Sequence, residues 1–511
     1  MQQLSGLDAA FLAMDTSHTT GHVGGVHLLA GRPSSGMPRL TLERLTVLVG
    51  ARLPLVPALR RRVVGVPLGL GQPFWVEDPD FDLEFHIREL ALPRPGSMRQ
   101  LTAQIARIHA RPLDRSRPLW ELYLVHGLSG GRMALYGKLH HAMIDGVAGQ
   151  EVTAALLDPE PHGRPVAAGP EWVPDQLPGR AELLARSAVS LSAQPGRALR
   201  LGADLLRSAP GLLATVGPRI PGLGRLLGED SGILSGAGLR APATPFNRSV
   251  SPHRRVALRT VPFEAVRAVK AASGLTVNDV VLAMCAGALR RWLDLHDVLP
   301  VEPLVAAVPV SVRDTSQPPS ADGTVPGNRV SLMLAGLPTH LADPLDRLRS
   351  AHEATARAKE QHEALPADLL ADVYAFTMPA LVGLAARANA RLRLLERVNL
   401  FNLFVSNVPG PQVPLYIGGH ALLASYPVSA ITDGQGLNVT VVSYAGGLHF
   451  GLISDRELVT DLDLLADYLA EELEVLAKAT GAGPWSGPAT VPATYADRRK
   501  ARPGSEARRS P

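Results

Sequence analysis

Residues Arg132–Gly149 read RMALYGKLHHAMIDGVAG. The first part, Arg132–His141, is an apolar, strand-like run that ends in two histidines, and another strand-like run, Trp120–Leu128 (WELYLVHGL), precedes it. Gly127, Ser129, Gly130 and Gly131 lie at the join, so the two runs predict a β-hairpin. The hairpin leads directly into His140-His141-Ala142-Met143-Ile144-Asp145-Gly146, an HHxxxDG pattern. Adjacent residues at a strand end point to opposite faces. His140 and His141 are therefore expected to do different jobs, one facing a reaction channel and the other packing or supporting.

These residue types suit acyl transfer. An alcohol oxygen attacking an acyl carbonyl needs a base for its proton, and imidazole titrates near neutrality. A thioester is already activated, so no covalent protein intermediate is required, and the same base can protonate the departing thiolate. Asp145 is able to accept from an imidazole or to hold an arginine and fix the turn. Gly146 permits a sharp turn or a close backbone approach. The competing readings are a satisfied core pair and half a metal site. A metal would need a third ligand, and no HxH, HxxE or Cys cluster stands nearby, so no metal is expected.

Outward from this stretch, three zones and a tail can be read. Residues 1–165 mix strand and helix patterns, with a short helix expected at Leu101–Ala110 before the turn-rich Arg111–Pro118. Residues 166–250 are rich in Pro, Gly and Arg and read as a crossover linker. Its basic, Leu-containing helices either lie in a membrane interface or pack on their own protein. Residues 251–481 alternate again. Strands are expected at Arg254–Val261, Leu304–Val312, Asn328–Ala335, Leu403–Ser406 and Leu437–Tyr444, and helices at Phe263–Ala272 and Asn278–Leu293. Residues 482–511 read as a basic, disordered tail.

Composition narrows the function classes. With 46% hydrophobic and 19% charged residues among 511, the chain has ample material for a core. The net charge is +4, and residues 495–511 alone carry six basic against two acidic residues, which is the whole excess. The body is thus neutral, and no nucleic-acid partner is expected. The single cysteine, Cys285, excludes an internal disulfide and a Cys-based metal site, and it reads as a core residue. The start, MQQLSGLDAAFLAMD, lacks the basic stretch and apolar core of a signal peptide. The best apolar run, Val373–Ala386, is too short to span a bilayer and contains Pro379. Any membrane contact is therefore expected to be peripheral.

Two other patterns lead elsewhere. Gly127–Gly131 matches GxSxG, but a nucleophile elbow must lead from a strand into a helix, and here a second strand follows, so Ser129 reads as a turn residue. Phe74, Trp75, Phe81 and Phe85 could line a lipid groove, but ordinary core aromatics are the commoner case.

The segment Lys138–Gly149 (KLHHAMIDGVAG) resembles the active-site motif of the bacterial wax ester synthase/acyl-CoA:diacylglycerol acyltransferases. Leu4–Asp15 (LSGLDAAFLAMD), His22–Gly25 (HVGG), Pro112–Leu122 (PLDRSRPLWEL), Val277–Ala283 (VNDVVLA), Gly327-Asn328-Arg329 and Ser406–Pro411 (SNVPGP) resemble further motifs of that family, in order. The resemblance implies an α/β fold of two chloramphenicol-acetyltransferase-like domains, joined by a crossover and enclosing a tunnel entered from both sides. It implies His141 as general base. It makes Asp145 mainly structural, paired with an arginine for which Arg60 and Arg313 are candidates. Asn278 would help hold the oxyanion or acyl carbonyl, while its other reading is a helix N-cap. Acyl-CoA is implied as co-substrate with no other cofactor, and diacylglycerol or a long-chain alcohol as acceptor. The implied place is cytoplasmic, peripheral to the inner membrane or lipid droplets. The run Arg60-Arg61-Arg62 either meets the coenzyme phosphates or is a solvated surface. Two departures, Gly6 in place of proline and Thr20-Gly21 in place of Pro-Met, do not touch the catalytic pattern and bear on the acceptor entrance. The alternatives are a carrier-protein-dependent condensation-type acyltransferase, although no adjoining carrier domain is expected, and a lipid-binding paralogue without activity.

Overall fold

The structure, a computed structural model, describes residues 1–34, 36–69, 71–143, 152–165, 172–174, 176–192, 241–311, 330–363 and 399–483. Asp145, Gly146, Arg313, Gly327-Asn328-Arg329, Val373–Ala386 and the basic tail lie outside them.

The N-terminal half comprises strands β1 (Gln2–Gln3), β2 (His22–Leu29), β3 (Arg61–Val64), β4 (Phe74–Glu77), β5 (Ile87–Ala91), β6 (Trp120–His126) and β7 (Met133–His140). Its helices are α1 (Gly6–Met14), α2 (Leu42–Arg52), α3 (Leu83–His86) and α4 (Met98–Ala110). After α5 (Arg180–Ser192), the C-terminal half contains β8 (Arg254–Pro262), β9 (Leu304–Ser311), β10 (Val330–Leu337), β11 (Leu403–Val408), β12 (Tyr416–Ile417), β13 (His420–Val428), β14 (Leu437–Tyr444) and β15 (Gly447–Asp455). Its helices are α6 (Phe263–Ser273), α7 (Val277–Leu295), α8 (Pro344–Glu363) and α9 (Leu462–Thr480). The expected hairpin is β6–β7, and its connection uses Gly127, Gly130 and Gly131 at φ 82°, 73° and 70°, where side chains other than glycine are strained.

Two six-stranded sheets carry the fold. The first runs β12-β13-β2-β7-β6-β5 and the second β10-β9-β11-β14-β15-β8. A small sheet β1-β4-β3 lies apart. Sheet membership does not follow a sequential division at residue 251. Residues 416–428 come late in the chain, yet β13 pairs with β2 in the first sheet, from Leu422↔Leu29 to Val428↔Gly24. His420 anchors this donated strand. Its Nδ1–H donates to the Ala30 carbonyl (2.7 Å), and its Nε2 accepts the Leu40 N–H (3.0 Å).

Helix α4 starts in a capping box between Ser97 and Gln100. Its buried Leu101, Ile105 and Ile108 join one core with β2, β6, β7 and β13 from the first sheet and β8 and β15 from the second. The halves are thus welded by apolar burial as well as by the donated strand. In the second half, α7 buries thirteen residues, most of them in one apolar core with α9 and with β9, β11, β14 and β15. Its start is a capping box between Thr276 and Asp279.

Among the described residues no single helix is long and apolar enough to cross a membrane. The pair α6–α7 meets that test only together, is bent by 103°, and α7 is enclosed in the core. Of the linker, α5 is described. It seats Leu183 against Val66, Phe74 and Val76 of its own protein, while Leu184 is exposed.

Candidate active site

His140 is the last residue of the central strand β7, and His141 follows it. His140 pairs with His22 of β2, and its N–H donates to the Leu119 carbonyl (3.0 Å). Its side chain is buried. His141 opens the following turn. Its N–H donates to the Gly21 carbonyl (2.7 Å), and its ring stacks on Phe11 of α1, with centroids 4.4 Å apart and planes at 26°. The two rings thus have separate partners.

His140 is held at both ring nitrogens. The Ala142 N–H donates to Nδ1 (3.1 Å), so the ring proton sits on Nε2, which donates to Asp15 Oδ2 (3.1 Å). Asp15 Oδ1 accepts the Gly21 N–H (2.7 Å), and Arg115 donates to Asp15 Oδ2 (3.1 Å) and to the Leu12 carbonyl. Burial alone would push the Asp15 carboxyl up. The His140 and Gly21 hydrogen bonds and the Arg115 charge outweigh it and hold the group below its ordinary range.

Behind His140 lies a row of buried imidazoles. His22 sits edge-on to both His140 and His109, at 6.0 Å in each case. The His22 Nδ1–H donates to the His109 carbonyl (3.0 Å). His109 accepts from the Tyr136 hydroxyl (2.7 Å) and donates to the Ser429 carbonyl (3.1 Å). Burial, reinforced by the Lys138 charge, pushes His22 far down and His109 to about 3, so both stay neutral.

Lys138 lies on the same face of β7 as His140 and is fully buried. Its Nζ donates to the carbonyls of Ile108 (3.0 Å) and Arg111 and lies 3.7 Å from the Glu121 carboxylate. A cation thus meets the last carbonyls of α4. Burial lowers its pKa to about 8.

Three chain-distant segments converge here: Leu4–Asp15 through Phe11 and Asp15, His22–Gly25 through β2, and Pro112–Leu122 through Arg115 and Leu119. Asp15, Phe11, Arg115 and Lys138 carry no individual signal in the motif reading. The readable signal for Lys138 is a lysine inside an otherwise apolar strand. Gly21 corrects an expectation. It does touch the catalytic pattern, because its carbonyl accepts the His141 N–H, and a Cβ on it would lie 3.2 Å from His140 Nε2. Any larger residue would crowd that ring.

The other sequence candidates are placed as follows. Asp145, Gly146 and Arg313 fall outside the described residues. The Arg60 guanidinium lies 5.0 Å from the centre of the Trp172 ring, a cation–π contact. Arg61 and Arg62 pair with Glu77 (3.1 Å) and Asp78 (3.2 Å), so neither is a bare solvated charge. Asn278 is half-buried in the first turn of α7. The helix cap is Thr276 rather than Asn278, because the Thr276 hydroxyl accepts the Asp279 N–H (3.2 Å) while the Asp279 carboxylate accepts the Thr276 N–H (3.0 Å). The T-x-x-D spacing carries that signal in the sequence. Ser129 lies in the β6–β7 turn. Cys285 is buried in the second core, and burial pushes its thiol up to about 12. Phe74 packs with Val76 and Leu183, Trp75 against the Leu4–Leu12 cluster, Phe81 stacks on His86, and Phe85 faces the Arg117 guanidinium at 4.0 Å. Among the described residues, no group of three or more His, Cys, Asp or Glu side chains could hold a metal ion.

Residues 4–281 match the wax ester synthase/diacylglycerol acyltransferase catalytic domain, and residues 326–477 match the WS/DGAT C-terminal domain. A Mycobacterium tuberculosis protein named as a diacylglycerol O-acyltransferase is 36% identical over 487 residues, covering 94% of this chain and 100% of that one. The wax ester synthase/diacylglycerol acyltransferase of Marinobacter aquaeolei VT8 is similar in structure, with a TM-score of 0.66, 30% identity, and coverage of 94% of this chain and 100% of that one. The first condensation domain of the CDA synthetase shares the fold at 17% identity, with a TM-score of 0.54 and coverage of 94% and 97%. The architecture is therefore the two-part, chloramphenicol-acetyltransferase-like α/β fold. By length of match and by identity, the chain belongs to the wax ester synthase/diacylglycerol acyltransferase family.

Proposed function

We propose that this acyltransferase moves a long-chain acyl group from acyl-CoA to diacylglycerol, with long-chain alcohols as secondary acceptors, and that His141 is the general base. The observation that carries the reading is the seating of His141 at the end of β7, its backbone tied to Gly21 and its ring laid on Phe11. An imidazole fixed in this way takes the hydroxyl proton as the alcohol oxygen bonds to the thioester carbonyl carbon. The tetrahedral intermediate then expels the thiolate, and the imidazolium returns the proton to sulfur. Ester and free coenzyme A leave, and no covalent enzyme intermediate forms. Positioned proton transfer of this kind contributes ~10²–10⁴-fold.

In this reading, donor and acceptor reach His141 from opposite sides through a tunnel between the halves. Asp145 and Gly146 shape the turn after the histidines, with Arg60 or Arg313 as the partner of Asp145. Asn278 faces the acyl carbonyl, a role left open to it because Thr276 supplies the cap. The enzyme works at the cytoplasmic side of the inner membrane or on lipid droplets.

The test is coenzyme A release from palmitoyl-CoA by the purified protein, with diacylglycerol, a long-chain alcohol or no acceptor added. We expect release only with an acceptor. Release driven only by a loaded carrier protein would favour the condensation-type reading, and no release under any condition would favour an inactive paralogue.

A further inference from the structure

We propose that Asp15 is a positioning residue for this reaction, and that residues 11–21 form a clamp setting the catalytic turn from two directions. The inference rests on His141 being the base. From one side, the Asp15 carboxylate takes the Nε2–H of His140 (3.1 Å). This fixes the tautomer whose Nδ1 receives the N–H of Ala142, the residue directly after His141 (3.1 Å). From the other side, the second oxygen of Asp15 takes the Gly21 N–H (2.7 Å), and the Gly21 carbonyl takes the N–H of His141 itself (2.7 Å). The amides of residues 141 and 142 are thus both tied, through one intermediary each, to one carboxylate. Phe11, one turn earlier on α1, supplies the plate on which the His141 ring rests. Arg115 holds the carboxylate in place from the Pro112–Leu122 segment.

Only a carboxylate satisfies this arrangement. Its two oxygens are acceptors only, and three donors face them: Gly21 N–H on Oδ1, and His140 Nε2–H and Arg115 on Oδ2. An asparagine has one acceptor oxygen, so its amide must face one of these donors. If the amide faces His140, the ring must accept at Nε2 and carry its proton on Nδ1, which turns that nitrogen away from the Ala142 amide. If it faces Gly21, the link to His141 opens instead. Either outcome displaces the catalytic turn without removing any group that touches substrate.

The experiment compares Asp15→Asn, Asp15→Glu and His141→Ala in the full-length protein by kcat, by KM for acyl-CoA and acceptor, by thermal midpoint, and by ¹⁵N-histidine NMR of the His140 tautomer. For Asp15→Asn we expect kcat to fall ~10–100-fold, the range for misplaced catalytic groups. KM should be little changed, and the His140 signal should move from the Nε2–H form or the Ala142 amide should lose its bond. Asp15→Glu should recover part of the loss. Wild-type kcat in Asp15→Asn, with His141→Ala inactive, would overturn the clamp and leave the base assignment standing. A loss in Asp15→Asn that follows a drop in thermal midpoint, with the His140 tautomer and Ala142 amide unchanged, would also overturn it. Full activity in His141→Ala would remove the base assignment and this inference with it.

Discussion

The end of β7 and the centre of the second sheet are both deeply buried, but they are built from opposite materials. Around α7 the interior is Val280, Val281, Leu282, Leu289 and Leu293 against the aliphatic faces of β9, β14 and β15. Around β7 it holds His22, His109, Lys138 and His140, each tied by named hydrogen bonds. Apolar burial is non-directional and stabilises wherever shapes fit. Buried polar groups stabilise only when every partner is in place, and in return they fix orientation. The core around α7 therefore mainly stabilises, and the end of β7 holds a side chain in one pose.

Four experiments would break or sharpen this contrast. The largest effect should come from His141→Ala, which we expect to lower kcat by ~10²–10⁴-fold with little change in thermal midpoint. Loss of folding instead would mean the ring serves packing. Next is Leu289→Ala in α7, where a buried side chain is replaced by a cavity. Denaturant titration should show a loss of ~2–5 kcal/mol, while the specific activity of the folded fraction is retained. A selective loss of turnover there would show that the second half does more than stabilise.

Lys138→Met should cost ~1–3 kcal/mol, because the Ile108 and Arg111 carbonyls lose their donor. The same lysine gives a pH signature. Its pKa is about 8 in the fold against an ordinary value of 10.5, so between these values the unfolded chain binds more protons. Wild-type stability should therefore rise from pH 8 to 10.5 by this contribution, and Lys138→Met should abolish the rise.

The remaining test is on the acid side. Burial lowers His109 to about 3 and His27, on β2, to about 4, against 6.5 when unfolded. The unfolded chain gains their protons first, so urea midpoints should fall as pH drops from 6.5 towards 4. A flat acid limb would show that these rings do not stay neutral.

Much of the fold is legible in the sequence because its signals are local. The glycine-rich join between β6 and β7, the apolar strand ending at His140 and the periodicity of α7 each lie within one element. The donated strand β13 is not legible, because pairing between His420–Val428 and residues some 400 positions earlier depends on which edge of β2 stays open after β7 has paired. The site divides in the same way. The histidine pair and its chemistry can be read from HHxxxDG, and Cys285 from its apolar surroundings. The capping box at Thr276 is readable from its spacing, although the sequence also offers Asn278 as an N-cap.

The chain alone determined that one imidazole ends a buried strand and that its neighbour must face elsewhere, since a strand's alternation is covalent geometry. Only the folded molecule decided what holds those rings. Asp15, Gly21 and Arg115 are ordinary loop and helix-end residues in the sequence, and they become partners of His140 and His141 because α1, β2 and the segment before β6 pack around the same strand end. Hydrogen bonds act over about three ångströms, and no spacing along the chain records which distant donors and acceptors will come that close.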